Sequence, residues 1–117
     1  MAQITHIDPN PRMSGAVVHG GVAYLAGQVA LGAPGGTVAE QTKNIIDLLD
    51  ATLAKAGTDK SKLLSASIWL ADISTFAEMN AVWDEWVKDV TAPARATVEA
   101  KLAAPQYTVE IALIAAI

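Results

Sequence analysis

The sequence predicts an α+β fold in the order β-β-β-α-β-α-β-β, a sandwich with two helices on one face of a mixed sheet. Three observations carry this expectation. Two stretches place apolar residues at helical spacing, others are β-rich or alternate with a period of two, and glycine or proline clusters separate them. The chain has 117 residues, 52% hydrophobic and 17% charged, so a single domain over residues 1–117 can close a sizeable core.

Ile4-Thr5-His6-Ile7 reads as an edge strand, ended by the turn residues Asp8-Pro9-Asn10-Pro11. Residues 15–19 and 22–29 are β-rich runs joined by Gly20-Gly21, the signature of a tight hairpin. Gly32-Ala33-Pro34-Gly35-Gly36 is a loop. It lacks the Gly-Lys-Ser/Thr ending of a phosphate-binding loop. Thr37 is a good N-cap, and Glu40 three residues on completes a capping box. Val38, Gln41, Ile45, Leu48, Leu49, Thr52, Leu53 and Ala56 then form one buried stripe, and Gly57 stands at the expected C′ stop.

After a turn at Thr58-Asp59-Lys60-Ser61, residues 63–70 alternate as a strand, Leu64, Ala66, Ile68 and Leu70 forming the more apolar face. Asp72-Ile73-Ser74-Thr75 leads into a second helix whose stripe is Phe76, Met79, Val82, Trp83, Trp86, Val87 and Val90. Thr91-Ala92-Pro93 breaks it, and residues 94–102 and 107–117 are the closing strands.

Side-chain parity in those two strands points to the chemistry. Ala94, Ala96, Val98, Ala100 and Leu102 form the face expected under the helices, which aims Arg95, Thr97, Glu99 and Lys101 away from them. In the last strand Tyr107, Val109, Ile111, Leu113 and Ala115 alternate with Thr108, Glu110, Ala112, Ile114 and Ala116, and both faces are largely apolar. Two helices cover only one side of a sheet, so the uncovered apolar face predicts an oligomer. Arg95 and Glu110 are then expected at the subunit interface, half desolvated, where a lone carboxylate is costly. Two readings fit: an intersubunit ion pair, or an arginine fork for a substrate carboxylate.

Other function classes are disfavoured. Eight Lys+Arg against 12 Asp+Glu give a net charge of −4 without a basic cluster, unlike a surface that neutralises nucleic-acid phosphates. With no cysteine, thiol nucleophiles and Cys-ligated zinc are excluded, and His6 and His19 each stand alone, so no metal site is expected. Ser14 in Arg-Met-Ser-Gly-Ala is not a nucleophile elbow and reads as a loop residue. Trp83 and Trp86 lie on a helix stripe, which marks core rather than a base-stacking platform. No 18-residue apolar stretch and no basic-then-apolar leader occur, so the expectation is a cytoplasmic protein without membrane association.

Several segments together resemble the YjgF/Rid family of reactive intermediate deaminases. They are Tyr24-Leu25-Ala26-Gly27-Gln28-Val29, Thr37-Val38-Ala39-Glu40-Gln41-Thr42, Ala56-Gly57-Thr58, Ile68-Trp69-Leu70-Ala71-Asp72-Ile73 and Met79-Asn80-Ala81-Val82-Trp83. Most specific is Pro93-Ala94-Arg95-Ala96-Thr97-Val98-Glu99 followed by Val109-Glu110-Ile111. The likeness runs in order from about residue 12 to the C-terminus.

The resemblance implies a chorismate-mutase-like fold assembled as a homotrimer with clefts between subunits. It also implies cofactor-independent hydrolysis of enamine/imine intermediates, such as 2-aminoacrylate and its imine tautomer, to a 2-keto acid and ammonia. In that family's pattern Arg95 binds the substrate carboxylate and Glu110 positions or activates the hydrolytic water. Backbone groups around Gly27 and Thr97 also contact substrate, and Asn80 lies within a family motif.

The chain departs from the pattern at Met13, which stands where an early tyrosine is usual, at Ala26 in place of serine, and at Thr97 where some members have cysteine. These departures imply a divergent subgroup whose cleft, bordered by Met13 and Ser14, takes a different substrate side chain. Two rivals accompany this expectation: a non-catalytic trimer that binds small carboxylates, and a ribonuclease, which the acidic charge disfavours.

Overall fold

The structure, a computed structural model, describes residues 3–117. Its elements are β1 (Thr5–Ile7), β2 (Ala16–His19), β3 (Val22–Leu25), β4 (Gln28–Val29), α1 (Val38–Lys55), β5 (Leu63–Leu70), α2 (Phe76–Val87), β6 (Ala94–Glu99) and β7 (Val109–Ala116). One sheet runs β1-β2-β3-β7-β5-β6, with β4 also pairing β7. β5 and β6 are parallel and the other pairs antiparallel, so the sheet is mixed.

Local chemistry sets the boundaries. Gly20 and Gly21 both take positive φ, 59° and 78°, the conformation of a two-residue turn between β2 and β3. Thr37 and Glu40 make the reciprocal capping box that starts α1, and Gly57 at φ 84° follows its Ala56 C-cap. The Asp59 and Asp72 side chains accept from the backbone N–H of Ser61 and Ser74, closing short 3-10 turns ahead of β5 and α2.

The core lies between the sheet and the two helices. Ile45, Leu49 and Leu53 of α1 and Met79, Trp83 and Trp86 of α2 are buried over Ala66, Ile68 and Leu70 of β5 and Val109, Ile111 and Leu113 of β7. Gln41 is buried within the α1 stripe because it serves backbone rather than core. Its Nε2 donates to the Gly36 and Gln106 carbonyls, both at 3.0 Å, and its Oε1 accepts from Thr108 N at 2.9 Å. One side chain thus ties the loop before α1 to the loop before β7.

Three sequence expectations shift. The single strand over 22–29 breaks at Ala26-Gly27, because Tyr24 pairs Ile114 while Gln28 pairs Ile111: four steps on one side match three on the other, which is a β-bulge. A register shift between Leu63 and Ser65 puts Leu63 in the core and leaves Leu64 exposed. The third change concerns β6. Its register pairs Ala66 with Arg95 and Ile68 with Thr97, so Arg95 and Thr97 share the helix side with those core residues, and Ala94, Ala96 and Val98 take the open face. Arg95 does not point away from the helices. Small apolar residues suit an open face that the two helices do not reach, while the aromatic stripe of α2 offers the arginine a surface to lie on.

Candidate functional site

The candidate residues fall into two groups on different parts of the sheet. The first forms around the bulge. Without a side chain, Gly27 lets the Glu110 carboxylate lie against its backbone. A Cβ there would overlap Oε2 and stand 3.1 Å from Cδ. Glu110 is half-buried on the open face, and no ion pair engages it among the described residues. It pairs across the ladder with Trp69, which in turn pairs with Val98, so an acid, an indole and an aliphatic side chain cross the open face in one row.

Local turn chemistry sets the course of the chain through Met13 and Ser14. The Asn10 side chain accepts from Arg12 N at 2.8 Å and Met13 N at 3.0 Å, and Asn10 N donates to Met13 O at 2.8 Å. Ala26 N then donates to Gly15 O at 2.9 Å, which extends the β2–β3 pairing beyond Ala16 and Leu25. Met13 is 48% exposed, a flexible apolar side chain at the rim.

The second group sits between β6 and α2. The Arg95 guanidinium carbon lies 5.6 Å from the Phe76 ring centroid and 5.5 Å from that of Trp83, within range of cation–π attraction to both. Arg95 is half-buried and has no carboxylate partner among the described residues. Asn80 falls on the same stripe of α2, four residues after Phe76 and three before Trp83. Asn80 Oδ1 and Thr97 Oγ1 are buried without a hydrogen-bond partner. Polar atoms in that state are uncommon and mark places where a ligand or water completes the set.

Elsewhere among the described residues four ion pairs form, Lys55–Asp8 and Lys60–Asp89 among them. Asp50 is in none of them and lies against α2. Desolvation against α2 raises its carboxyl above the usual range, although the Trp86 Nε1–H bond and the charge of Lys60 pull the other way. Two grooves of the chain lie apart from both groups. One of about 710 Å3 borders the β6–β7 loop near Leu102 and Tyr107, and one of about 470 Å3 runs between α1 and α2 over Ile46 and Trp86. Among the described residues no cluster of three or more His, Cys, Asp or Glu could hold a metal ion, and no helix is long and apolar enough to cross a membrane.

Residues 3–117 match the family model described as Endoribonuclease L-PSP. A RutC family protein of Haemophilus influenzae is 48% identical over 112 residues, covering 96% of this chain and 97% of the relative. The RutC family protein YoaB of Escherichia coli is 43% identical, covering 97% of this chain and 98% of its own. The chain belongs to the YjgF/Rid family. A YjgF-family protein of Neisseria meningitidis has the same fold at a TM-score of 0.93 and 43% identity, covering 97% of this chain and 94% of that one.

This YjgF/Rid chain therefore brings Gly27 and Glu110 together and sets Asn80, Arg95 and Thr97 on the helix side of the sheet, without joining the two groups inside one copy, while Met13 and Ser14 lie in the turn segment ahead of β2. Sequence reasoning assigned Phe76 and Trp83 to the helix stripe and missed that they carry the arginine. Their spacing with Asn80 on one helical face was the available signal.

Proposed function

We propose that the chain is an enamine/imine deaminase, hydrolysing 2-aminoacrylate and its imine tautomer to a 2-keto acid and ammonia in clefts between copies of a homotrimer. The observation that carries this reading is the pair Arg95 and Glu110, each half-buried and neither ion-paired among the described residues. Such groups are costly unless something outside completes them. Arg95 lies on the helix side of edge strand β6, and Glu110 on the open face of β7. A substrate touching both is best served when the β6 edge of one copy meets the open face of the next. An edge against a face is a heterologous contact, which builds a ring when its rotation closes and never a two-fold dimer. Three is the number that the family resemblance implies.

The chemistry follows from the residue types. The guanidinium binds the substrate carboxylate through two parallel N–H···O bonds. Glu110 accepts a proton from a water as the water oxygen adds to the carbon of the protonated imine, which gives a carbinolamine. That proton passes from Glu110 to nitrogen, the C–N bond breaks, and ammonia leaves as the hydroxyl gives its proton back to Glu110 and becomes the carbonyl of the keto acid. The departing ammonia takes that proton up as ammonium and leaves the carboxylate free. Neither redox chemistry nor a bound cofactor is required by this balance. Imines hydrolyse readily in water, so the barrier to be removed is modest, and positioning supplies much of it.

The test uses purified protein and 2-aminoacrylate generated in place by a serine/threonine dehydratase, with keto acid formation as the readout. The wild type accelerates keto acid release, whereas Arg95→Ala and Glu110→Gln fall to the uncatalysed rate. Wild-type activity no greater than that of Arg95→Ala overturns the reading. Binding of 2-keto acids without turnover would then mark a carboxylate-binding trimer.

A further inference from the structure

We infer that Phe76 and Trp83 are positioning residues: a two-ring clamp that holds the Arg95 guanidinium in place of a countercharge and so leaves N–H donors for a carboxylate. This deepens the proposed function and rests on it for the ligand, though not for the clamp.

The reasoning starts from what usually holds an arginine still. A neighbouring Asp or Glu does so by taking up the N–H donors, and an arginine so paired has fewer to offer an incoming carboxylate. Arg95 is held differently. No carboxylate meets it among the described residues, and two aromatic rings stand 5.6 and 5.5 Å from its central carbon. Attraction between a cation and a ring acts through the ring face and takes up no N–H donor in a hydrogen bond to a countercharge, so it can hold the guanidinium while leaving its donors for a carboxylate.

The clamp is itself supported. Trp83 is 3% exposed and packs edge-on against Trp86, with centroids 5.3 Å apart and planes at 69°. Trp86 is anchored in turn, because its Nε1 donates to the Asp50 carboxylate on α1 at 3.2 Å. One ring is thus locked into the core. The other, Phe76, is 40% exposed at the start of α2, where burying its face against a ligand-bearing arginine would replace contact with water. Asn80, between the two rings along the helix, presents a buried Oδ1 without a donor to the same region.

Phe76→Leu keeps apolar bulk at a half-open position but removes the ring face, and Trp83→Phe keeps a ring in the core. Two readouts apply to each. The first is the 1H–15N signal of the Arg95 Nε–H group, assigned by its loss in Arg95→Lys. The clamp predicts a ring-current displacement from the ordinary arginine position that shrinks in Phe76→Leu and is retained in Trp83→Phe. The second is affinity for pyruvate, the keto-acid product, and the split between KM and kcat for imine hydrolysis. Phe76→Leu should weaken pyruvate binding and raise KM about 2- to 5-fold, the loss of one partly exposed cation–π contact, with kcat little changed.

An undisplaced Arg95 signal in the wild type, or affinity and KM unmoved in Phe76→Leu, overturns the clamp. Failure of the wild type to bind any keto acid or turn over any imine instead removes the deaminase reading, while the ring-current measurement still decides whether the rings hold the arginine.

Discussion

Replacing Gly27 with alanine tests the Glu110 half of the site with a single methyl group. The backbone at Gly27 is not in the left-handed region, so alanine fits its conformation. The obstacle is the new Cβ, which would overlap Glu110 Oε2 and stand 3.1 Å from Cδ and 3.4 Å from Cγ. Only the far end of the glutamate has to move, by about an ångström, and a rotation of that kind costs about 0.5–1.5 kcal/mol. Losing a glycine also stiffens the unfolded chain, which returns about 0.4–1 kcal/mol. The variant should therefore unfold in urea within about 1 kcal/mol of the wild type.

Activity should behave differently. A catalytic carboxylate misplaced by about 1 Å loses roughly 100-fold in rate, so kcat/KM for keto acid release should fall by about that factor. The double variant with Glu110→Gln separates cause from coincidence. If Gly27→Ala acts by displacing Glu110, adding it to Glu110→Gln costs little more, the non-additivity expected of residues that act as a unit. An unchanged rate in Gly27→Ala, or a full further loss in the double variant, would refute the reasoning.

Three further outcomes are expected. Gln41→Leu leaves the Gly36 and Gln106 carbonyls and the Thr108 N–H without their partner, and should lower stability by about 3 kcal/mol in urea titrations; a loss below about 1 kcal/mol would show that water replaces the glutamine. Asp50 has its carboxyl raised in the fold by desolvation, so its favourable contribution is complete below the unfolded value and disappears as pH rises through the folded one. Asp50→Asn keeps an oxygen for Trp86 Nε1 and should gain stability relative to the wild type as pH climbs from about 4 to 7; a difference that stays flat across this range contradicts the assignment. Val98, 49% exposed on the open face, tolerates a charge in the isolated chain. Val98→Asp should keep the wild-type circular dichroism yet sediment as a smaller species and lose deaminase activity, and a wild type that itself sediments as a monomer would remove the need for a cleft between copies.

Much of the fold is legible in the sequence because the signals are short-range. Thr37, Glu40 and Gly57 bracket α1 through caps, and Gly20-Gly21 can only be a turn. The Glu110 face is legible too, since both neighbours of that residue, Val109 and Ile111, are core. The side of β6 is not. Ala94, Ala96 and Val98 look like a core face by apolarity alone, and only the register against β5 shows that Ala66 and Ile68 share their side with Arg95 and Thr97. The bulge at Gly27 depends likewise on the pairing with β7, a partner more than 80 residues away in sequence.

The reversal of β6 changes what the two charged groups imply for each other. Had Arg95 and Glu110 shared the open face, separated only by the Trp69 strand, a water-bridged or direct pairing inside one chain would have been open to them, and the arginine's donors would have been partly spent. On opposite faces neither can neutralise the other across the sheet. Each instead has its own setting, the aromatic rings of α2 against the cation and the space left by the missing Gly27 side chain for the anion. Neither setting supplies a countercharge, so both groups keep their hydrogen-bonding capacity for a ligand. A substrate that carries a carboxylate for one and requires a polarised water from the other supplies the two missing partners at once. The same unpaired charges that make the isolated chain electrostatically expensive are those that an imine of a 2-keto acid, seated between copies, would satisfy.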